Sequence, residues 1–228
     1  MRKFLIALTL LLGACALPPK VPPPAEPSTP VSAPTGPYER FDVANSRIEI
    51  RAYRDGPMAQ LGHNHLIVST ALAGTIDVRS PASDTRFMLE LPLNSLVVDD
   101  PAARSGAGAE FVKEVPQADR DGTRRNMLGS SVLDAMRQPV LRLGAESLEG
   151  GPDEFVAQVR VGLRGEERIV SVPVSVQRED GKVSVHASFT LHHADLGLTP
   201  FTVALGALRV RDEIAIDFRL EARPGKPG

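Results

Sequence analysis

From Tyr38 to Arg223 the chain repeatedly alternates apolar and polar side chains with a period of two. Successive residues of a strand face opposite sides, so this pattern predicts half-buried β-strands. The last stretch is the clearest. Ile214, Ile216, Phe218, Leu220 and Ala222 share one face, and Ala215, Asp217, Arg219 and Glu221 share the other. Residues 182–192 behave alike, with Val183, Val185, Ala187, Phe189 and Leu191 on the apolar side. In 153–163 that side is Phe155, Ala157, Val159, Val161 and Leu163, and in 168–177 it is Val170, Val172, Val174 and Val176. In 86–94 it is Phe87, Leu89, Leu91 and Leu93. Ile48 and Ile50 in 46–53, and Leu141 and Leu143 in 139–147, mark shorter strands. Residues 65–78 are strand-like, but either face reads as the buried one.

These stretches predict eight strands. Gly150-Gly151-Pro152-Asp153, Arg164-Gly165-Glu166 and Asp180-Gly181 supply turns between them. The main interruption, at about 99–138, predicts a short helix over Glu110–Val115 and a longer one through Met127, Val132, Leu133 and Met136. Strands and helices do not alternate, which excludes a parallel sheet wound with helices. The expected fold class is all-β with a short helical insertion: an eight-stranded antiparallel barrel, or failing that a sandwich. With 228 residues, 42% of them hydrophobic, the chain can bury a core without metals or disulfides. Its single cysteine excludes an intramolecular disulfide.

The N-terminus follows a different logic. Arg2 and Lys3 precede an apolar run from Phe4 to Leu12, too short to span a bilayer but suited to a secretory signal. The run ends in Leu12-Gly13-Ala14-Cys15, which resembles a bacterial lipobox, with the only cysteine at the lipid-accepting position. Residues 1–14 therefore read as a lipoprotein signal peptide and Cys15 as the lipidation site. Ala16 lacks the acidic inner-membrane retention signal, so by resemblance to other lipoproteins the expected location is the outer membrane, facing the periplasm. Acyl chains such as palmitate on Cys15 would anchor the chain stably. Residues 16–37 hold nine of the 20 prolines and read, with Cys15, as an extended tether of residues 15–37. The domain is expected over 38–223 and a short tail over 224–228. Without Arg2 and Lys3, 24 of the 26 basic residues remain against 28 acidic ones. That balance, the absence of Trp and only 4% aromatic residues argue against nucleic acid as a partner.

Several segments of the domain resemble the YceI-like family, the polyisoprenoid-binding proteins with an extended lipocalin-like barrel. They are Ser46-Arg47-Ile48-Glu49-Ile50, Gly74-Thr75-Ile76-Asp77-Val78, Asn126-Met127-Leu128 with Val132-Leu133-Asp134, Gln138-Pro139-Val140-Leu141-Arg142-Leu143, Val161-Gly162-Leu163-Arg164-Gly165 and Asp195-Leu196-Gly197. Asp195-Leu196-Gly197 stands where the family has D-F-G, and Gly62-His63-Asn64-His65 is an addition to the usual pattern. The resemblance implies a periplasmic carrier or sensor for a long apolar molecule: an isoprenoid, an isoprenoid quinone, a fatty acid or a related amide. The candidate ligand-binding wall is Ile48, Ile50, Leu89, Leu91, Phe155, Val159, Val172, Val174, Val185, Phe189, Ile216 and Phe218. Alternation alone leaves a second reading open, in which these side chains fill the barrel and the domain is a structural module.

His63 and His65 are two apart and share a face on a strand, a spacing that suits metal ligation. By parity His193 and Asp195 fall with the inward residues, so His63, His65, His193 and Asp195 make a candidate Zn²⁺ or Cu²⁺ site and the basis of an alternative, metal-dependent function. The competing reading is a turn whose imidazoles cap backbone groups, with Asp195 bonding a nearby N–H. No catalytic residue is assigned. Gly129-Ser130-Ser131 is not a G-x-S-x-G elbow, and no serine is marked as partner to a histidine. Arg120, Arg124 and Arg125 could meet an anionic head group at the barrel mouth or line a solvated loop.

Overall fold

A computed structural model of the chain describes residues 37–225. The expected signal peptide, Cys15, the tether up to residue 36 and the last three tail residues lie outside the described residues.

The strands are β1 (Glu39–Asp55), β2 (His65–Ser69), β3 (Ala73–Val78), β4 (Arg86–Pro92), β5 (Val97–Val98), β6 (Val140–Gly150), β7 (Glu154–Leu163), β8 (Glu166–Glu179), β9 (Lys182–His192), β10 (Thr202–Val203) and β11 (Leu208–Pro224). Every pairing is antiparallel. From β1 the ring runs through β11, β9, β8, β7, β6, β4 and β3, and β3 pairs with β1 again. The ring is a closed eight-stranded barrel, so it has no free sheet edge around its circumference.

The stretch 65–78, read as one strand, is two: β2 and β3, interrupted at residues 70–72. Both halves pair with β1 in one register, Ile48 with Ser69 and Asp42 with Thr75. β1 itself starts seven residues earlier than its alternation suggested. A bulge between Val43 and Asn45 switches parity, so Phe41 and Ile48 both face the core although one is odd and the other even. A second bulge, between Ala145 and Ser147, carries β6 past its expected end in the same way and turns Leu148 inward.

The insertion differs most from expectation. Asp100 caps a short helix, α1 (Pro101–Ser105), by accepting from the Ala103 N–H at 2.9 Å, with proline at the first helical position. Residues 110–115 form only a single turn at Ala109–Phe111. The longer helix, α2 (Gln117–Leu128), lies ten residues upstream of the predicted start and contains the three arginines. Gly129 adopts an extended backbone that ends it. The chain then folds back, with the Leu133 and Ala135 N–H groups bonded to the Met127 and Leu128 carbonyls. Met136, placed on a helical face by periodicity, is fully exposed. Apolar spacing alone cannot separate a short helix from a string of turns.

The insertion packs on the outside of β2. Leu66, Val68 and Phe111 form a small outer core with Tyr53, Ala103 and Ala107. Ile67, between them, faces the barrel interior. β2 is therefore apolar on both faces, and that is why its alternation gave no inward side.

Candidate functional site

The inward faces enclose one long cavity. All twelve side chains of the candidate wall, from Ile48 to Phe218, line it. The filled-barrel alternative requires those side chains to meet in the middle, but they leave about 690 Å³. That volume is within the range of small-molecule sites, about 300–1,000 Å³. The lining is overwhelmingly aliphatic. Polar groups gather at the ends: Arg79, Thr85, Asp153 and Arg178 at one, and Arg54, His63, His65, Thr123, Asn126, His193 and Arg209 at the other.

The second end is the more organised. His65 opens β2, opposite Ala52 of β1, so strand alternation turns His65 and Ile67 inward and Leu66 and Val68 outward. Just past β5 the chain passes through Asp99 in the left-handed region (φ 54°), where aspartate is better tolerated than most residues. The Asp99 N–H donates to the Leu66 carbonyl at 2.7 Å, which holds the carboxylate under β2. One carboxylate oxygen, Oδ2, lies 2.6 Å from His65 Nδ1. The other, Oδ1, accepts from the Leu66 N–H at 2.9 Å and from the Arg104 guanidinium on α1. Arg104 is 6% exposed and also donates to the Asn64 and Lys113 carbonyls, both at 2.9 Å. The Asn64 side chain accepts from the Arg54 N–H at 3.1 Å and donates to the Glu110 carbonyl at 3.2 Å. Gly62-His63-Asn64-His65 is thus a knitted turn that aims both imidazoles at the cavity end, with ring centroids 6.3 Å apart.

Electrostatics fix the charge states. Burial alone would raise the Asp99 pKa, but the hydrogen bonds from His65 and the Leu66 N–H, with the positive charge of Arg104, outweigh it and hold the pKa below the usual carboxylate range. Burial and the nearby Lys113 ammonium lower the His63 pKa, against the opposing pull of Asp119, so His63 is neutral at neutral pH.

The four-residue metal set is not assembled. His193 lies in the single turn His193–Leu196, and its Nδ1 is 2.6 Å from the Asp212 carbonyl. Asp195 is exposed and accepts from the His192 N–H at 2.8 Å, the local capping role that competed with ligation. Among the described residues no group of three or more His, Cys, Asp or Glu side chains is arranged to hold a metal ion. Of the arginine cluster, Arg120 donates to the Asp99 carbonyl at 3.4 Å and Arg124 to the Asn94 carbonyl at 2.6 Å.

Asp99, Arg104 and Thr123 escaped the sequence reading. The Asp99-Asp100-Pro101 run signals a helix start, which accounts for Asp100, but nothing local ties Asp99 to a histidine 34 residues earlier. A histidine oriented by a buried carboxylate has the geometry of a general base and its positioning group. Its nearest hydroxyl, Thr123 Oγ1, is 3.4 Å from Nε2, longer than a well-formed hydrogen bond. Thr123 also sits inside α2, where backbone N–H groups are already bonded within the helix and cannot form an oxyanion hole. The arrangement suits recognition of a polar group better than acyl transfer.

No protein-family model matches the chain, and no curated protein does. Solved structures do. BcnA from Burkholderia cenocepacia aligns with a TM-score of 0.55 at 12% identity over 77% of this chain and 95% of its own. A polyisoprenoid-binding domain from Saccharophagus degradans, implicated in plant cell wall breakdown, aligns with a TM-score of 0.53 at 14% identity over 81% and 98%. At such low identity the shared property is architecture: the chain has the YceI-like fold, a lipocalin-type barrel closed by eight antiparallel strands.

Proposed function

We propose that this chain is a lipid-anchored envelope protein that binds a long apolar molecule of isoprenoid, quinone or fatty-acid type and sequesters or presents it without chemical change. The observation that carries the reading is the cavity: about 690 Å³, walled by aliphatic side chains along the barrel, with polar groups only at its ends. Each buried methylene contributes about 0.8 kcal/mol, so a long chain gains affinity there with few polar contacts. The likeness to a polyisoprenoid-binding domain supports this class of ligand.

The test is native mass spectrometry of the full chain purified from a bacterial envelope, followed by extraction into organic solvent. A bound species that partitions into the solvent is expected. Val159→Trp should remove it while the barrel still unfolds cooperatively, because the indole projects into empty space. Excluding two methylenes costs about tenfold in affinity, and an indole excludes more. Retention of the same lipid by Val159→Trp would refute the cavity as its site.

Anchoring has its own test. Cys15→Ser should move the protein from the membrane fraction to the soluble fraction, because the proposed acyl chains supply the attachment. Unchanged fractionation would overturn the lipidation reading and leave the cavity reading intact.

A further inference from the structure

We infer that His65 is the head-group acceptor of this barrel, and that its ligand class is a neutral long-chain alcohol or phenol, such as a prenol or quinol. The inference rests on the cavity reading above and adds the polar end of the ligand to it.

The geometry that points there is the one-sided use of the imidazole. Asp99 is fully buried and ionised, so it can only accept. At 2.6 Å from Asp99, His65 Nδ1 is the protonated nitrogen, so in the uncharged form of the ring the lone pair is on Nε2. That lone pair lies at the cavity end, 3.4 Å from Thr123 Oγ1, where no well-formed hydrogen bond uses it. An O–H group on an apolar chain satisfies Nε2 by donating to it, and can accept from Thr123 in return. An ether or a ketone has no proton to give.

The surrounding charges disfavour an anionic head. Arg104 is committed to Asp99 and two backbone carbonyls. Arg54 donates to the Gly62 carbonyl at 2.7 Å. Asp99 places a full negative charge behind the imidazole, and Asp119 lies 3.9 Å from His63 Nδ1. A phosphate at this end would meet the Asp99 and Asp119 carboxylates, while Arg54, Arg104 and Arg209 are already committed, which leaves the Lys113 ammonium near His63 as the opposing attraction.

The experiment is a competition on the delipidated full chain, read by native mass spectrometry. The probes are geranylgeraniol, its methyl ether and its monophosphate, offered at equal concentration. The wild type is expected to take the alcohol over the ether by at least about tenfold, the effect of one hydrogen bond to a strongly polarised acceptor. His65→Phe should erase that preference and leave ether binding within about threefold. Equal uptake of alcohol and ether by the wild type would overturn the head-group assignment while leaving the cavity reading standing. Preference for the monophosphate would overturn it as well. Failure of all three probes would sink the cavity reading itself, and the assignment with it. Should His65→Phe not fold, the wild-type ratio still decides.

Discussion

Gly74→Ala is expected to abolish the folded barrel. Gly74 lies in β3 with φ at +138°, a region that residues bearing a Cβ rarely enter. A Cβ there would sit 2.1 Å from the Met88 carbonyl oxygen and 2.8 Å from Leu89 Cα. Both obstacles are backbone of β4, so no side-chain rotation relieves the overlap. Gly74 pairs with Leu89 directly, where the ring passes from β3 to β4. Relief therefore means parting these strands, which opens the barrel and exposes the buried Leu72, Ile76 and Leu89 around the seam. Strain on fixed backbone, combined with loss of core packing, places the effect in the exceptional class, above about 4 kcal/mol. Urea unfolding followed by circular dichroism is the measurement. A cooperative transition at an unchanged midpoint would refute this account of the seam.

The legible and illegible parts of this fold divide along physical lines. Alternation in β7, β8, β9 and β11 was readable because each strand has the cavity on one side and solvent on the other. For the same reason parity placed all twelve side chains of the candidate wall on the face that lines the cavity. Alternation failed where that condition fails. β2 is covered on both faces, by the cavity and by the insertion, so its apolar run has no preferred side. The bulge after Val43 reverses parity in β1 and conceals its first turn of pairing. The helical insertion carries little apolar periodicity; α2 has no buried residue, so the helix signal drifted to the apolar residues that follow it. At the polar end of the cavity His63 and His65 both line the wall, although only His65 lies on the strand that their spacing assumed. Their partners could not be read, because Asp99 is distant in sequence and reaches His65 only when β5 pairs with β2, and Arg104 reaches Asp99 only from the docked α1. The capping alternative for Asp195 was visible, and the structure bears out that local role.

Asp99→Asn is expected to destabilise the protein by about 3–5 kcal/mol, because it leaves the Arg104 guanidinium buried with no anion. The wild type should also show an acid limb that the variant lacks. Asp99 has a lower pKa folded than unfolded, so its stabilisation is fully present above about pH 4. It is lost as pH falls through the still lower folded value, so the gap between wild type and variant should narrow on acidification. A gap that widens toward low pH, or no gap at neutral pH, would refute the network as described. The same substitution reaches the ligand. An asparagine amide can donate to His65 Nδ1, which leaves the ring proton on Nε2 and turns the lone-pair acceptor into a donor. In any folded fraction of Asp99→Asn, the preference for alcohol over ether should therefore disappear while the apolar chain is still bound. Loss of stability without loss of that preference would mean that Asp99 holds the insertion to the barrel and does nothing to orient His65. Both losses together tie the buried carboxylate to the ligand through a single imidazole.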